Sequence, residues 1–157
     1  MNAALAEEVV KMLKSAGMTV TTVESCTGGL ISATLVDVSG ASAVLNQAYV
    51  TYANEAKQTM VGVKAETLEA YGAVSEQTAR EMAEGGAKAA KADAALAVTG
   101  IAGPNGGSAE KPVGLVYIGC CVKGKTVVER NVFKGSRREV REQSVMAALE
   151  LLKKQLQ

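Results

Sequence analysis

The segment VTTVESCTGGLISATLV, residues 20–36, joins two different patterns at a pair of glycines. Residues 18–24 are rich in β-branched side chains, which is typical of a strand. From Ile31 onward, apolar residues recur at helical spacing, and the pattern ends near Gly40. Gly28 and Gly29 lack a Cβ atom, so a ligand can approach the backbone closely at this point. The segment therefore predicts a strand, a tight turn and a helix that packs on the strand.

The rest of the chain continues this alternation. Further strands are expected at 46–53, 94–99, 113–122 and 125–133. Helices are expected at 5–16, from Asn54 through Met60, at 65–71, from Ser75 and from Ser136, where Glu139 completes a capping box. The last two strands flank Lys123-Gly124, so they form an antiparallel hairpin. The pattern predicts one domain over residues 1–157, a three-layer α/β/α sandwich with a mixed, mostly parallel sheet of about five strands.

Composition excludes several classes of function. The chain has 157 residues, 48% of them hydrophobic, and a net charge of +1, which is unlike a nucleic-acid binder. It has no apolar run of the ~20 residues needed to cross a membrane. The chain has three cysteines, Cys26 and the adjacent pair Cys120-Cys121, and an odd number with two neighbours does not suit a set of disulfides. We therefore expect a cytoplasmic protein. Without histidine or a CxxC motif we expect no metal, although a carboxylate-bound cation stays open.

Ser25 occupies the end of the first strand, directly before the turn. The first N–H groups of a helix have no partner within the helix and carry partial positive charge. A serine here is therefore placed to attack a carbonyl group while N–H groups of residues 27–29, or of the loop at 100–103, hold the oxyanion. The alternative is that Ser25 or Thr27 is simply the N-cap of the helix.

A serine nucleophile needs a base, and the chain has no histidine. Lys57 is the favoured base, because Asn54 as N-cap would place it one turn into a short helix beside the sheet edge. It must be neutral to accept a proton, which requires burial or a nearby cation. The alternative is a solvated lysine. Tyr49 and Tyr52 point to opposite faces of their strand, so only one of them reaches the site.

Two further segments carry binding groups. The glycine-rich loop after residues 94–99, with Thr99, Gly100, Ala102 and Gly103, follows a buried strand, where α/β proteins bind ligands. It is also compatible with a mobile connection. Arg137 and Arg141 share one face of the last helix and suit a phosphate group. They are equally compatible with a solvated face paired with acidic neighbours.

The motifs ESCTGG, YVTYANEAK, GAVSEQTA and VTGIAGPNGGSAEKPVG occur in this order, with Gly-Ser-Arg-Arg before the last helix. In these motifs the chain resembles the CinA C-terminal domain family over essentially its whole length. The family includes stand-alone nicotinamide mononucleotide deamidases of the PncC type. The resemblance implies an α/β/α amidohydrolase that releases ammonia from this nucleotide, needs no cofactor and forms a homo-oligomer.

The resemblance also implies roles for individual residues. Ser25 is the nucleophile, Lys57 its base, and Tyr52 belongs to the same catalytic group. The substrate-binding residues expected from these motifs are Thr27, Gly28, Gly29, Thr99, Gly100, Ala102, Gly103 and Arg141. The alternative is a nucleotide-binding or interaction module without turnover, related to competence and damage-inducible proteins. Cys26 is the rival nucleophile, because thiols are intrinsically more reactive than hydroxyls.

Overall fold

The computed structural model describes residues 3–157, so Met1 and Asn2 of the expected domain lie outside it. The helices are α1 (Ala3–Ala16), α2 (Leu30–Val36), α3 (Asn54–Val61), α4 (Ala65–Tyr71), α5 (Glu76–Ala90) and α6 (Arg137–Leu156), with a 3₁₀ turn at Ala41–Ala43. The strands are β1 (Val20–Glu24), β2 (Leu45–Val50), β3 (Ala94–Gly100), β4 (Leu115–Val122) and β5 (Lys125–Val132).

The strands form one sheet in the order β2-β1-β3-β4-β5. β2, β1 and β3 run parallel, and β4 is antiparallel to both β3 and β5. Helices α1, α2 and α6 cover one face, and α5, with α3 and α4 against it, covers the other. The predicted α/β/α sandwich with a mixed sheet and a late hairpin is confirmed.

The central strand β3 is covered by helices on both faces of the sheet. Residues 94–99 are buried throughout, as the continuous apolar run predicts for a strand covered on both faces. Small residues between α5 and the sheet allow close packing: a Cβ atom on Gly119 of β4 would lie 2.7 Å from the carbonyl oxygen of Ala79 on α5. Aliphatic side chains fill both interfaces between helices and sheet.

Several predicted boundaries differ from the structure. β2 ends at Val50 rather than at residue 53, because its neighbour β1 ends at Glu24, whose carbonyl accepts a last hydrogen bond from the N–H of Thr51. The prediction that Asn54 is an N-cap is wrong, since Ala53 holds that position without a side-chain hydrogen bond. Ser75 and Ser136 cap their helices as predicted, and Ser136 forms the expected capping box with Glu139.

The sheet brings three loops together at one edge. β1, β2 and β3 are parallel, so the segments that follow Glu24, Val50 and Gly100 leave the sheet at the same end. In an open α/β sheet this edge is where ligands bind. Within residues 3–157, no helix combines the length and the apolar character needed to cross a bilayer.

Candidate active site

Ser25 and Lys57 meet at this edge although they are 32 positions apart in the sequence. Ser25 follows β1 directly, and Lys57 lies on the first turn of α3, which starts just beyond β2. The Nζ atom of Lys57 is 3.1 Å from Oγ of Ser25. The side chain of Lys57 is among the largest fully buried ones, with 1% of its surface exposed. The predicted juxtaposition is therefore present, and the alternative of a solvated lysine is wrong.

Two backbone carbonyl groups orient the amine of Lys57. Its Nζ donates to the carbonyl oxygen of Thr51 at 2.8 Å and to that of Tyr52 at 3.3 Å. A neutral amine has two N–H groups and one lone pair. If the two carbonyls take both N–H groups, the lone pair faces the hydroxyl of Ser25.

Burial lowers the pKa of Lys57 from its usual value of 10.5, because water no longer solvates the ammonium. The opposing influence is the nearby Cys26 thiol, which would favour the ammonium only if ionised. Burial raises the pKa of that thiol to about 11, so it is neutral near pH 7. The same burial makes Cys26 a poor rival nucleophile, since the thiolate is the reactive form.

The turn after Ser25 is held by a residue that sequence reasoning missed. The carboxylate of Glu24, fully buried, accepts hydrogen bonds from the N–H groups of Gly29, Ile31 and Ser32 at the start of α2. The N-cap residue of α2 is Gly29, and no side chain of the turn caps it. The alternative that Ser25 or Thr27 is the N-cap is therefore wrong. The sequence does contain a signal for this role: Glu24 is a charged residue at the end of a strand whose other residues are all β-branched.

Two of the N–H groups expected to hold the oxyanion, those of Gly28 and Gly29, are already hydrogen-bonded within the turn. The N–H of Gly29 donates to Glu24 Oε1 at 3.2 Å, and the N–H of Gly28 donates to the carbonyl of Ser25 at 3.0 Å. Neither group is free for a substrate oxygen. Among the described residues of the turn and the glycine-rich loop, the N–H groups of Cys26, Thr27, Ala102 and Gly103 donate to no backbone acceptor. Cys26, Ala102 and Gly103 also line the cavity beside Ser25 and Lys57, whereas Thr27 does not. These three are better placed to bind a negative oxygen.

A cavity of about 290 Å³ opens above the Ser25–Lys57 pair. Its lining includes most of the predicted site residues: Ser25, Tyr52, Lys57, Thr99, Gly100, Ala102 and Gly103. Thr27, Gly28, Gly29 and Arg141 do not line it, and their expected contact with a substrate stays a prediction. Larger cavities of about 420, 480 and 620 Å³ lie elsewhere. The first is lined by Ser75 and Lys111, but Ser75 Oγ caps α5 and the amine of Lys111 donates to the carbonyl of Tyr71.

Arg137 and Arg141 of α6 contact different parts of the molecule. Arg141 points at the turn, where its Nε and Nη2 donate to the carbonyl oxygens of Cys26 and Thr27 at 3.0 and 2.9 Å. Arg137 lines the cavity, with Nη1 on the carbonyl of Gly103 at 2.7 Å and Nη2 near Tyr52 Oη at 3.3 Å. Arg137 therefore lines the cavity, whereas Arg141, one helical turn further along α6, is held at the turn after Ser25.

Only one of Tyr49 and Tyr52 lines the cavity, as expected, although Tyr52 lies beyond the end of β2 and not on the opposite face of that strand. Tyr52 lines the cavity and is 63% exposed, whereas Tyr49 is half-buried and packs against the core under α5. Thr99 is buried at the end of β3, and its Oγ1 donates to the carbonyl of Ala73 at 2.8 Å. This bond fixes the base of the glycine-rich loop against the segment before α5.

Residues 3–157 contain no group of three or more His, Cys, Asp or Glu side chains arranged to hold a metal ion. The fold and the cavity instead define an α/β protein with a buried serine–lysine pair at the edge of a mixed sheet.

The chain belongs to the CinA family: the model of the CinA C-terminal domain matches residues 2–156. A CinA-like protein of Kosmotoga olearia is 50% identical over 152 residues, which cover 97% of this chain but 37% of that protein. The chain thus spans little more than a third of the length of the curated relatives it matches.

Solved structures agree with this assignment over the whole length of the fold. The competence/damage inducible protein CihA from Agrobacterium tumefaciens has a TM-score of 0.97 at 45% identity, covering 99% of this chain and 95% of that one. A CinA superfamily protein from Klebsiella pneumoniae, KP700603, has a TM-score of 0.95 at 36% identity, covering 99% and 98%.

Proposed function

We propose that the chain is an amidohydrolase that converts nicotinamide mononucleotide to nicotinate mononucleotide and ammonia through an acyl-serine intermediate. One observation carries the proposal: a fully buried lysine has its amine 3.1 Å from a serine hydroxyl that caps no helix. Burying an ionisable group costs free energy, so such a pair is a marker of function. A protein that only binds a ligand has no need of it.

In the first step, Oγ of Ser25 attacks the carboxamide carbon and its proton passes to the neutral Nζ of Lys57. A C–O bond forms, and the carbonyl oxygen takes the negative charge. The N–H groups of Cys26, Ala102 and Gly103 are available to hold this oxygen. One such donor typically lowers the barrier by roughly 3 to 4 kcal/mol.

In the second step, the protonated Lys57 gives its proton to the amide nitrogen, the C–N bond breaks and ammonia leaves. Water then attacks the acyl-serine while Lys57 accepts one of its protons. Collapse of this second tetrahedral intermediate returns the proton to Ser25 Oγ and releases the carboxylate product. The carbonyls of Thr51 and Tyr52 remain acceptors for the amine throughout the cycle.

Arg137 supports a phosphorylated substrate. It is the only arginine that lines this cavity among the described residues, and its guanidinium lies beside the hydroxyl of Tyr52. Guanidinium groups bind phosphate oxygens in a bidentate manner. Binding energy gained at the phosphate positions the carboxamide over Ser25, which raises the rate of the chemical step.

Ammonia release from nicotinamide mononucleotide by the purified protein tests the proposal directly. The expected result is turnover that disappears in Ser25→Ala, with nicotinate mononucleotide as the second product. The matched substrate is nicotinamide riboside, which has the same carboxamide but no phosphate. Absence of ammonia release from both substrates, at protein concentrations comparable to substrate, would refute the proposed activity.

A second candidate is a nucleotide-binding or interaction module, and one finding favours it: the solved relative CihA is described by competence and damage induction. The same loops and Arg137 would serve binding alone. The two functions differ in one measurement. Calorimetric binding of nicotinamide mononucleotide without ammonia release would favour the module, whereas turnover favours the amidohydrolase.

A further inference from the structure

We propose that Glu24 is a positioning residue that keeps the hydroxyl of Ser25 free for Lys57. This inference rests on the proposed function, because it concerns the same serine. Glu24 does not line the cavity, and no part of its surface is exposed. Its carboxylate nevertheless accepts four hydrogen bonds, and its chain position is directly before Ser25.

The four bonds divide between the two oxygens. Oε1 accepts from the N–H groups of Ile31 at 2.8 Å and Gly29 at 3.2 Å. Oε2 accepts from the N–H of Ser32 and the hydroxyl of Thr22, both at 3.0 Å. Three of the donors belong to the start of α2, so a strand residue does the capping that the turn residues would otherwise do.

The backbone of Glu24 reaches the lysine as well. Its carbonyl oxygen accepts from the N–H of Thr51 at 2.8 Å, and the carbonyl of Thr51 in turn accepts from Nζ of Lys57. Ser25 is covalently attached to Glu24. The nucleophile and its base are therefore both tied to one residue, through a peptide bond on one side and two hydrogen bonds on the other.

Removal of the carboxylate would change the competition for the helix N–H groups. Two hydroxyls in the turn are potential acceptors: Ser25 Oγ, and Thr27 Oγ1, which is buried and has no hydrogen-bond partner among the described residues. Serine and threonine are common N-caps. Without Glu24, a hydroxyl that turns toward α2 satisfies these N–H groups, and a Ser25 hydroxyl that does so leaves Lys57.

The main test is Glu24→Gln, which keeps the volume but replaces one acceptor oxygen by an NH₂ group that cannot accept from an N–H group of α2. We expect kcat to fall by about 10²-fold, the cost typical of a small misplacement of reacting groups. KM for nicotinamide mononucleotide should stay unchanged, because Glu24 does not line the cavity. A merely structural role would lower the amount of folded protein without this split between kcat and KM.

A second readout avoids the substrate altogether. A fluorophosphonate probe reacts with activated serines, and mass spectrometry can follow its attachment to Ser25. We expect Glu24→Gln to slow labelling by a factor similar to the loss of kcat. The matched control is Asp93→Asn, because the carboxylate of Asp93 accepts from the N–H of Thr19 at 2.9 Å beyond the opposite end of β1. This control should label at the wild-type rate.

Thr22→Val covers the case in which Glu24→Gln does not fold. It is nearly isosteric, it lies on a buried strand and it removes one of the donors to Oε2. We expect the same labelling rate to fall by about threefold or more, but by less than in Glu24→Gln. The reason is that Thr22 supplies only one of the four hydrogen bonds to the carboxylate, and bonds within one network support each other.

The outcomes separate the two proposals. Folded Glu24→Gln with kcat and labelling equal to those of Asp93→Asn would overturn the positioning role. If Glu24→Gln does not fold, wild-type labelling in Thr22→Val would overturn it. Rapid wild-type labelling without ammonia release would reject the deamidase while labelling still measures the role of Glu24. A wild-type Ser25 that does not label would overturn both.

Discussion

Two serines, Ser25 and Ser136, both stand between a strand and a helix, yet they are used in opposite ways. At the start of α6, Ser136 Oγ accepts from the N–H of Glu139 at 3.2 Å, and Glu139 Oε1 accepts from the N–H of Ser136 at 2.9 Å. At the start of α2, the hydroxyl of Ser25 faces Lys57 and caps nothing.

The difference lies in where the acidic partner comes from. Glu139 is an exposed neighbour three residues along, and the hydrogen bonds from Ser136 lower the pKa of its carboxyl group. Glu24 is buried and approaches α2 from the strand before the turn. A helix start that is satisfied from outside the turn leaves its serine available for other chemistry. Residue type alone does not distinguish a capping serine from a nucleophile.

The largest expected effect is the loss of activity in Ser25→Ala and Lys57→Met. Each should lower kcat/KM by at least ~10³-fold, because nucleophile and base act as one unit. The double variant should be no worse than either single one. Steady-state ammonia release measures this, with circular dichroism to verify the fold.

Near-wild-type turnover in Lys57→Met would assign the proton transfer to another group. Additive losses in the double variant would likewise contradict a shared step. The comparison with Ser136 predicts a further contrast: Ser25→Ala should leave the free energy of unfolding almost unchanged, because its hydroxyl caps no helix.

The next effect is a rise of activity with pH. Burial lowers the pKa of Lys57, and only the neutral amine accepts the serine proton. The rate should therefore be low below this lowered pKa, where the ammonium dominates, and should rise to a plateau above it. The profile of kcat/KM for nicotinamide mononucleotide measures this limb. A flat profile from acid pH upward would be inconsistent with a lysine base.

The same titration affects stability. The unfolded chain keeps the Lys57 proton up to about 10.5, whereas the folded chain releases it at lower pH. Stability should therefore increase with pH between these two values, and Lys57→Met should lack this increase. Urea unfolding of both proteins at several pH values gives the difference. The excess in free energy of unfolding of Lys57→Met over the wild type should be greatest below the lowered pKa and should shrink toward pH 10.5.

Arg137→Ala should have a smaller and more specific effect. If the guanidinium binds the phosphate, KM for nicotinamide mononucleotide should rise by about 10- to 100-fold, the value of one to two charge-assisted hydrogen bonds. Turnover of nicotinamide riboside should change far less. Equal losses on both substrates would assign Arg137 to holding Gly103 and Tyr52 rather than to the phosphate.

Much of this arrangement follows from the sequence. Hydrophobic periodicity and the hairpin around Lys123-Gly124 predict the layers and the mixed sheet. The juxtaposition of Ser25 and Lys57 is predictable because parallel strands deliver their following loops to one edge. These are consequences of local sequence patterns and of the parallel pairing of the first three strands.

Other features depend on tertiary geometry that local patterns do not contain. Arg137 and Arg141 lie one helical turn apart on the same face, so only the docking of α6 decides which reaches the cavity. The capping of α2 by Glu24 is equally hidden, because it requires the strand and the turn to fold back on each other. Local capping rules find Ser136 but not Glu24.

The smallest expected effect is that of removing the capping serine, Ser136. Ser136→Ala removes the acceptor for the N–H of Glu139 and should lower the free energy of unfolding by about 1 kcal/mol, as for other N-cap serines. Fluorophosphonate labelling of Ser25 should proceed at the wild-type rate, because Lys57 and Glu24 are untouched. Chemical denaturation and labelling on the same samples measure both quantities. A slowed labelling rate in Ser136→Ala would mean that the two helix starts are coupled through α6, whose Arg141 binds the carbonyls of Cys26 and Thr27.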